Sequence, residues 1–294
     1  MLFNTNQILK QIISLTSKEL EQADLFFGHG TDNPWDEACW LVETLVKRSG
    51  IDQINAEMKL DIVVLNQLQE LLIKRTKEKI PLAYLLNEAW FSGLPFYVDT
   101  SAVIPRSPIA ELITHRFNPL INNEPERILD LCCGNGCIGV ASALKFPDAK
   151  VVFADLSTKA LKVASINIEK HGLNNRSFIE HSNLFEGLEG RFDLIVSNPP
   201  YVGEEEYATL PLEYKHEPIM GLVSKQNGLN TSIEILRQAP NFLTDKGVLI
   251  LEVGNSWLTL ADLYPEIPFL WLEFEKGGEG VLSLSYQKLL NYNF

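Results

Sequence analysis

The chain has 294 residues, of which 25 are Lys or Arg and 38 are Asp or Glu, so its formal net charge is -13. With 46% hydrophobic residues it can bury a full core, and its length fits one large domain or two smaller ones. Acidic residues outnumber basic ones in the first 90 residues and in the remainder, which disfavours a protein that binds nucleic acid mainly through its phosphates. The opening segment is interrupted by Asn, Gln and Lys, so we expect neither a signal peptide nor a membrane span, and a cytoplasmic location.

The first 90 residues carry apolar side chains at helical spacing, which predicts a small helical domain over residues 1–90. The two clearest runs are Ile8, Leu9, Ile12, Ile13 and Leu15, and later Leu65, Leu68, Leu71 and Leu72. Between these runs, Asn33 and Pro34 are typical of a helix cap followed by the first helical residue. Aromatic residues separated by Gly93 and Pro95 then predict a hairpin linker over residues 91–104.

The third region, residues 105–294, alternates between strand-like and helix-like segments. Strands are predicted at Ile128–Cys132, Val151–Asp155, Phe192–Ser197 and Gly247–Val253, with helices at Ser157–Glu169 and Thr231–Phe242. This alternation predicts an α/β fold with a doubly wound, mostly parallel sheet. Two strand-like runs without a helix between them, Phe269–Phe274 and Val281–Tyr286, predict a terminal antiparallel hairpin.

A glycine-rich loop follows the first predicted strand of the sheet, at the place where open sheets bind ligands. Gly134, Gly136 and Gly139 match the pattern GxGxxG, and Asp155 closes the second strand. The pattern fits a nicotinamide-dependent oxidoreductase as well as a nucleoside-binding enzyme. Asp130 favours the second, because a carboxylate suits a cationic ligand better than a pyrophosphate.

S-adenosylmethionine is a ligand of this cationic kind, since it carries an amino group and a sulfonium and no phosphate. Asp155 would hold the two ribose hydroxyls, and the loop amides at the helix N-terminus would meet the methionine carboxylate. The simpler alternative for Asp155 alone is a cap on the helix that begins after it.

The segment Asn198-Pro199-Pro200-Tyr201 follows the strand Phe192–Ser197. Two prolines fix the backbone and remove two amide donors, which leaves a rigid corner rich in acceptors. The Asn198 side-chain oxygen and the Pro199 carbonyl could each accept one N–H of an NH2 group, and Tyr201 could pack against its planar π system. The simpler alternative is a proline-rich turn that merely ends a strand.

Together, the glycine loop, Asp155 and the Asn-Pro-Pro-Tyr segment resemble class I S-adenosylmethionine-dependent methyltransferases of the branch that methylates amide or exocyclic amino nitrogens. Further segments resemble the protein-glutamine methyltransferases, and within them the ribosomal-protein form. These segments are the blocks 28–38, 81–91, 96–99 and 104–112, His216-Glu217-Pro218, and Glu252 to Asn255. The resemblance extends over nearly the whole chain and implies a glutamine in a large-subunit ribosomal protein as the substrate.

By this resemblance Asn198, Pro199, Pro200 and Tyr201 bind the glutamine. The implied cofactor residues are Asp130, Cys132, Cys133, Gly134, Asn135, Gly136, Asp155, Asn183, Leu184 and Asn198. Cys133 and Asn135 replace the small hydroxyl residues more usual in this loop, and Asn183 replaces a more usual Asp. No metal site is expected.

Four other functions stay open at this point: a release-factor glutamine methyltransferase, a DNA adenine methyltransferase, a scaffold without catalysis, and a nicotinamide-dependent oxidoreductase, against which Asp130 and the Asn-Pro-Pro-Tyr segment argue. The acidic charge disfavours DNA as a partner, and it suits attraction of a basic ribosomal protein as well as it suits simple solubility. Arg106 is a candidate for orienting the substrate or for a structural salt bridge. A basic run near the end of a helix, Lys74, Arg75, Lys77 and Lys79, is most simply a solvent-facing surface, and otherwise a candidate contact with ribosomal RNA or an assembly intermediate.

Overall fold

The computed structural model describes residues 2–292 and residue 294. Two compact units are present. The first, here the helical unit, comprises Met1–Ala89 together with Pro211–His216, and the second, here the sheet unit, comprises Trp90–Leu210 and Glu217–Phe294. The sequence did not predict that the short segment 211–216 belongs with the helices.

Within the residues that the structure describes, the helical unit contains four α-helices: α1 (Leu9–Glu21), α2 (Pro34–Arg48), α3 (Ile62–Glu78) and α4 (Leu82–Leu86), and a 3-10 helix lies at Leu212–His216. Helix α2 begins as expected, because the Asn33 side chain accepts a hydrogen bond from the Asp36 amide and Pro34 is the first helical residue. The apolar faces of α1, α2 and α3 meet in one core that includes Ile12, Leu41 and Leu65.

The predicted basic run in α3 is not a continuous surface. Arg75 is only 2% exposed, and it pairs with Glu37 (Nε to Oε1, 2.6 Å) and Glu213 (Nη1 to Oε1, 3.0 Å). Lys79 donates to backbone carbonyls, and Lys74 pairs with Glu70 at 2.7 Å. The prediction that Arg75 faces solvent was therefore wrong, because its guanidinium is buried and paired with two carboxylates inside the helical unit.

A small hairpin formed by β1 (Ala89–Phe91) and β2 (Leu94–Phe96) stands at the start of the sheet unit. In the described part of the chain the larger sheet of this unit has seven strands: β3 (Arg127–Leu131), β4 (Lys150–Asp155), β5 (Ser177–His181), β6 (Phe192–Ser197), β7 (Leu243–Glu252), β8 (Leu270–Trp271) and β9 (Val281–Ser285). The helices are α5 (Ile109–Thr114), α6 (Cys137–Lys145), α7 (Thr158–Lys170), α8 (Glu204–Thr209), α9 (Asn230–Gln238), α10 (Trp257–Leu263) and α11 (Tyr286–Leu290), and 3-10 helices lie at Ile219–Gly221, Ala239–Asn241 and Gly254–Ser256.

The strand order is β5-β4-β3-β6-β7-β9-β8. Strands β3 to β7 pair in parallel, whereas β9 pairs antiparallel with both β7 and β8. The predicted fold class, with its terminal antiparallel hairpin, is confirmed. Strand β5 was not predicted, because most of its side chains are exposed at the sheet edge and form no apolar run.

Residues along the central strands alternate between two hydrophobic cores, one on each face of the sheet. Ile128 and Val151 belong to one core, whereas the next residues, Leu129 and Val152, belong to the other. Helices therefore cover both faces, and the edge formed by the carboxyl ends of the strands remains for ligands. Among the residues described, no helix is both long and apolar enough to cross a membrane.

Candidate active site

The motifs predicted from the sequence leave neighbouring strands at the same edge of the sheet. Leu131 at the end of β3 is in register with Ser197 at the end of β6, and Ser197 is in register with Leu251 of β7. The Ser197 hydroxyl donates to the Leu131 carbonyl at 2.7 Å, which joins the exits of β3 and β6. The glycine loop and the Asn-Pro-Pro-Tyr segment thus follow the ends of the adjacent strands β3 and β6, and Glu252 is the last residue of the next strand, β7.

The glycine loop turns through three residues in the left-handed region: Cys132 (φ +59°), Gly134 (φ +55°) and Gly136 (φ +78°). At Gly134 no protein atom lies within 4 Å of the position a Cβ would occupy, so a ligand can come close to the backbone there. Gly139, by contrast, is closely packed, since a Cβ there would lie 2.3 Å from the Phe153 ring. Gly134 thus opens the loop towards a ligand, whereas Gly139 allows α6 to pack on the sheet.

Asp155 fixes the other side of this loop from the end of β4. One carboxylate oxygen accepts the Gly134 amide at 2.8 Å, and the other accepts the Ser157 amide at 2.8 Å. Ser157, and not Asp155, caps α7, because its hydroxyl accepts the Ala160 amide. Burial raises the pKa of Asp155, opposed by these amide hydrogen bonds. The carboxylate keeps further lone pairs for a ligand.

Asp130 lies deeper than its predicted role suggested. It is 1% exposed, and its Oδ2 accepts the Gly139 amide at 2.7 Å. Burial, with a contribution from the charge of Asp155, raises the pKa of Asp130 to about 8, against the effect of the Gly139 hydrogen bond. A cationic ligand would stabilise the charged form of this carboxyl. Its contact with the cofactor stays a prediction.

The Asn135 side chain is committed to the protein. Its Nδ2 donates to the Val103 carbonyl at 2.7 Å, and its Oδ1 accepts the Cys137 amide at 3.0 Å. Asn167 of α7 adds a second brace, donating to the carbonyls of Asn135 (2.9 Å) and Tyr97 (3.0 Å). Asn135, which stands where a small hydroxyl residue is more usual, therefore helps to fasten the glycine loop to the segment 97–103.

The remaining predicted cofactor residues differ in position. Cys133 is buried, Cys132 is partly buried, and burial raises the pKa of both thiols. Asn183 is exposed and Leu184 adopts φ +54°, in the turn that follows β5 next to Asp155. The Ser182 amide holds this turn by donating to the Asp155 carbonyl at 3.0 Å. The structure brings the turn to the same edge of the sheet as the glycine loop.

In the Asn-Pro-Pro-Tyr segment, Asn198 and Tyr201 are partly buried. Among the residues described, none hydrogen-bonds to the Asn198 side chain, so its amide is available to a ligand. The Tyr201 hydroxyl, by contrast, donates to Glu252 Oε1 at 3.0 Å. Pro199 is buried and Pro200 partly so, as expected for a segment that sets the backbone rather than contacting solvent.

Two buried glutamates bind the segment 104–107, and sequence reasoning gave neither of them a role; Glu252 also contacts the site, through Tyr201. Glu217 accepts the Ile104 amide and forms a two-point ion pair with Arg106, with N to O distances of 2.9 Å. Glu252 accepts the hydroxyls of Ser107 and Tyr201. Arg106 therefore forms a structural salt bridge, one of the two alternatives the sequence left open. The signal for both glutamates was their place in the segments 216–218 and 252–255.

Comparison with known proteins is consistent with this geometry. A family model described as the methyltransferase small domain matches residues 112–211. The ribosomal protein uL3 glutamine methyltransferase of Francisella tularensis subsp. tularensis is 41% identical over 99% of this chain and 94% of the relative. The enzyme of the same name from Neisseria gonorrhoeae is 41% identical over 96% and 95%. The solved catalytic domain of hMettl16, in complex with MAT2A 3′UTR hairpin 6, shares the fold: its TM-score is 0.54 at 14% identity, over 84% of this chain and 92% of that one.

Proposed function

The chain belongs to the family of ribosomal protein uL3 glutamine methyltransferases, and from that premise we propose that it transfers a methyl group from S-adenosylmethionine to a glutamine side chain of that ribosomal protein. The observation that carries the proposal is the 41% identity over 99% of the chain, which includes both units. The helical unit is then the candidate for substrate recognition, with residues 91–104 as the linker to the methyltransferase part. The cytoplasm, where ribosomal proteins are made, is the proposed location.

The strand-end geometry fits the predicted cofactor. S-adenosylmethionine, when bound, supplies an electrophilic methyl group on a positively charged sulfur. The open backbone at Gly134 would accommodate it closely, and Asp155 would accept the ribose hydroxyls with the lone pairs left by its two amide donors. The rest of the cofactor site would be lined by Cys132 to Gly136, Asn183 and Leu184. Asp130, buried behind the glycine loop, would add a negative charge.

The glutamine amide is a weak nucleophile, because its nitrogen lone pair is delocalised into the carbonyl. Asn198, whose side chain has no protein partner in the described chain, would accept one N–H of that amide, and the Pro199 carbonyl would accept the other. Tyr201 would pack against the amide plane. These groups hold the nitrogen in line with the methyl group and place acceptors where positive charge develops.

No strong base is required in this scheme, since the nitrogen becomes acidic as it gains positive charge. Alignment of two reactants can lower a barrier by roughly 7 to 11 kcal/mol, so positioning by Asn198 and the two prolines can carry most of the rate. The chain's net charge of -13 would also attract a basic ribosomal protein before it is covered by RNA.

The test is to add the purified protein and labelled S-adenosylmethionine to an extract from cells that lack the enzyme, then to locate the label by mass spectrometry. We expect label on one glutamine of uL3. Label on a release factor would assign the chain to the sister activity, and label in DNA would revive the adenine methyltransferase alternative.

A matched pair of variants separates chemistry from folding in this assay. Asn198→Ala should abolish most of the labelling, whereas Asn175→Ala, at an exposed Asn in the turn before β5, should label like the wild type. Equal labelling by the two variants would contradict the role of Asn198.

A further inference from the structure

Glu252, the last residue of β7, is a buried carboxylate beside the site. It is 4% exposed and accepts two hydroxyl donors, Tyr201 on Oε1 at 3.0 Å and Ser107 on Oε2. Ser107 in turn accepts the Ile109 amide at 3.1 Å, so its own proton is directed at Glu252. The scheme proposed above uses Tyr201 but assigns nothing to Glu252 or Ser107.

The rest of Tyr201 is held closely by glycines and one hydroxyl. Gly254, two residues after Glu252, lies so close to the Tyr201 ring that a Cβ would be 2.4 Å from Cε2. A Cβ on Gly228 would lie 1.9 Å from the Tyr201 carbonyl oxygen, and the Ser256 hydroxyl donates to that oxygen at 3.1 Å. Packing therefore fixes the main chain of Tyr201 and the face of its ring. The hydrogen bond to Glu252 fixes the hydroxyl at the far end of the ring.

We propose that Glu252 is a positioning residue for methyl transfer, acting through the Tyr201 hydroxyl to hold the ring against the plane of the substrate amide. This role rests on the proposed function, since it concerns the glutamine reaction at the same site. Ser107 supports it by occupying the second carboxylate oxygen, which couples the segment before α5 to the Asn-Pro-Pro-Tyr segment.

A carboxylate suits this position better than an amide would. Both neighbours, Tyr201 and Ser107, donate a proton, and an ionised carboxylate can accept from both at once. A Gln at 252 would present an NH2 group to one of them and lose that acceptor. Glu252→Gln nearly keeps the volume, so it tests the hydrogen bonds without opening a cavity.

The experiment is a double-mutant cycle with Glu252→Gln and Tyr201→Phe, using the full-length protein, uL3 and S-adenosylmethionine. It is run above pH 7, because burial raises the pKa of Glu252 to about 7 and the acceptor of both hydrogen bonds is the ionised form. Each single variant should lower kcat about tenfold or more, as expected for loss of a hydrogen bond to a charged group. Because both changes remove the same contact, the double variant should be no slower than the slower single variant. The Kd for S-adenosylmethionine, measured by calorimetry, should stay within about twofold of the wild-type value.

Asp245→Asn is the matched control, because it makes the same type of change at an exposed position of the same strand, and it should leave kcat unchanged. Losses of kcat that multiply in the double variant would overturn the role of Glu252, as would a Glu252→Gln enzyme with wild-type kcat. If Glu252→Gln does not fold, Tyr201→Phe alone decides, and a kcat within twofold of wild type overturns the proposal. A wild-type protein that methylates no ribosomal protein would refute the proposed function itself, and with it this role.

Discussion

Replacing Arg75 with Met should destabilise the helical unit strongly. The guanidinium is 2% exposed and donates to Glu37, to Glu213 and to the Phe26 carbonyl, the last at 2.9 Å. Removing it leaves two carboxylates buried without their partner. Breaking a buried pair in this way costs about 3 to 5 kcal/mol.

Hydrogen exchange read by mass spectrometry is the suitable assay, because it reports the helical unit and the sheet unit separately, which a single unfolding curve does not. Protection of amides in α2 and α3 should fall in Arg75→Met and stay near wild type in β3 and β6. Lys74→Met is the control, since Lys74 pairs with Glu70 in an exposed i,i+4 arrangement, and it should change protection little. Equal protection in the two variants would refute the reasoning.

A stricter prediction concerns the two partners of Arg75. If the loss comes from stranded charges and not from lost volume, replacing Glu37 and Glu213 with Leu in the Arg75→Met background should restore most of the protection. A triple variant less protected than Arg75→Met alone would show instead that packing at this site dominates.

Four further outcomes are expected. Asn198→Ala should lower kcat by about two to three orders of magnitude at saturating cofactor, by analogy with removal of an oriented hydrogen-bonding group; a rate within twofold of wild type would contradict it. Gly134→Ala should weaken S-adenosylmethionine binding, measured by calorimetry, whereas Gly172→Ala should not. The two glycines are matched, because both have positive φ and no atom within 4 Å of the position that a Cβ would occupy. Burial raises the pKa of Glu252 to about 7, above its usual 4.5, so the folded state holds a proton that the unfolded chain releases. Protonation of Glu252 therefore contributes to the free energy of unfolding at low pH, and this contribution, at most about 3 kcal/mol, is lost as pH rises from about 4.5 to about 7. When the free energy of unfolding is measured by urea titration without cofactor, Glu252→Gln should flatten its pH dependence in that range. Methylation of the basic substrate should weaken as salt rises from about 50 to about 300 mM, and a flat response would leave the charge of -13 as a matter of solubility.

The sequence predicted the strands that are buried and bounded by turn residues. Strand β6 matches its predicted limits, Phe192–Ser197, because an apolar run meets Asn198 and two prolines at its end. Strand β7 starts at Leu243, four residues before its predicted start, since the exposed Asp245 and Lys246 interrupt the apolar pattern. Strand β5 has no such pattern because it lies at the sheet edge.

For the candidate site, the sequence predicted which residues follow the strand ends but not which contacts hold them in place. Asp155 and Gly134 could be related through a known motif spacing. The Asn167 contacts with Asn135 and Tyr97 span 32 and 70 residues, and Ser107 reaches Glu252 across 145. Pairings over such distances depend on the completed sheet, and no local period marks them.

The segment 211–216 means that a single cut of the chain cannot remove the whole helical unit. The chain leaves the site at Tyr201, forms α8, and enters the helical unit, where Arg75 holds Glu213. It then returns at Glu217, which holds Arg106 in the sheet unit. Hydrogen bonds from Arg75 and from the Phe26 amide keep the pKa of Glu213 below its usual range although burial alone would raise it, so the carboxyl is charged at neutral pH. A cut at residue 90 would remove both partners and leave that charge, four residues before Glu217, without compensation. The helical unit is therefore built from two separate stretches of the chain, and a cut at residue 90 leaves one of them, 211–216, without the residues that pair with it.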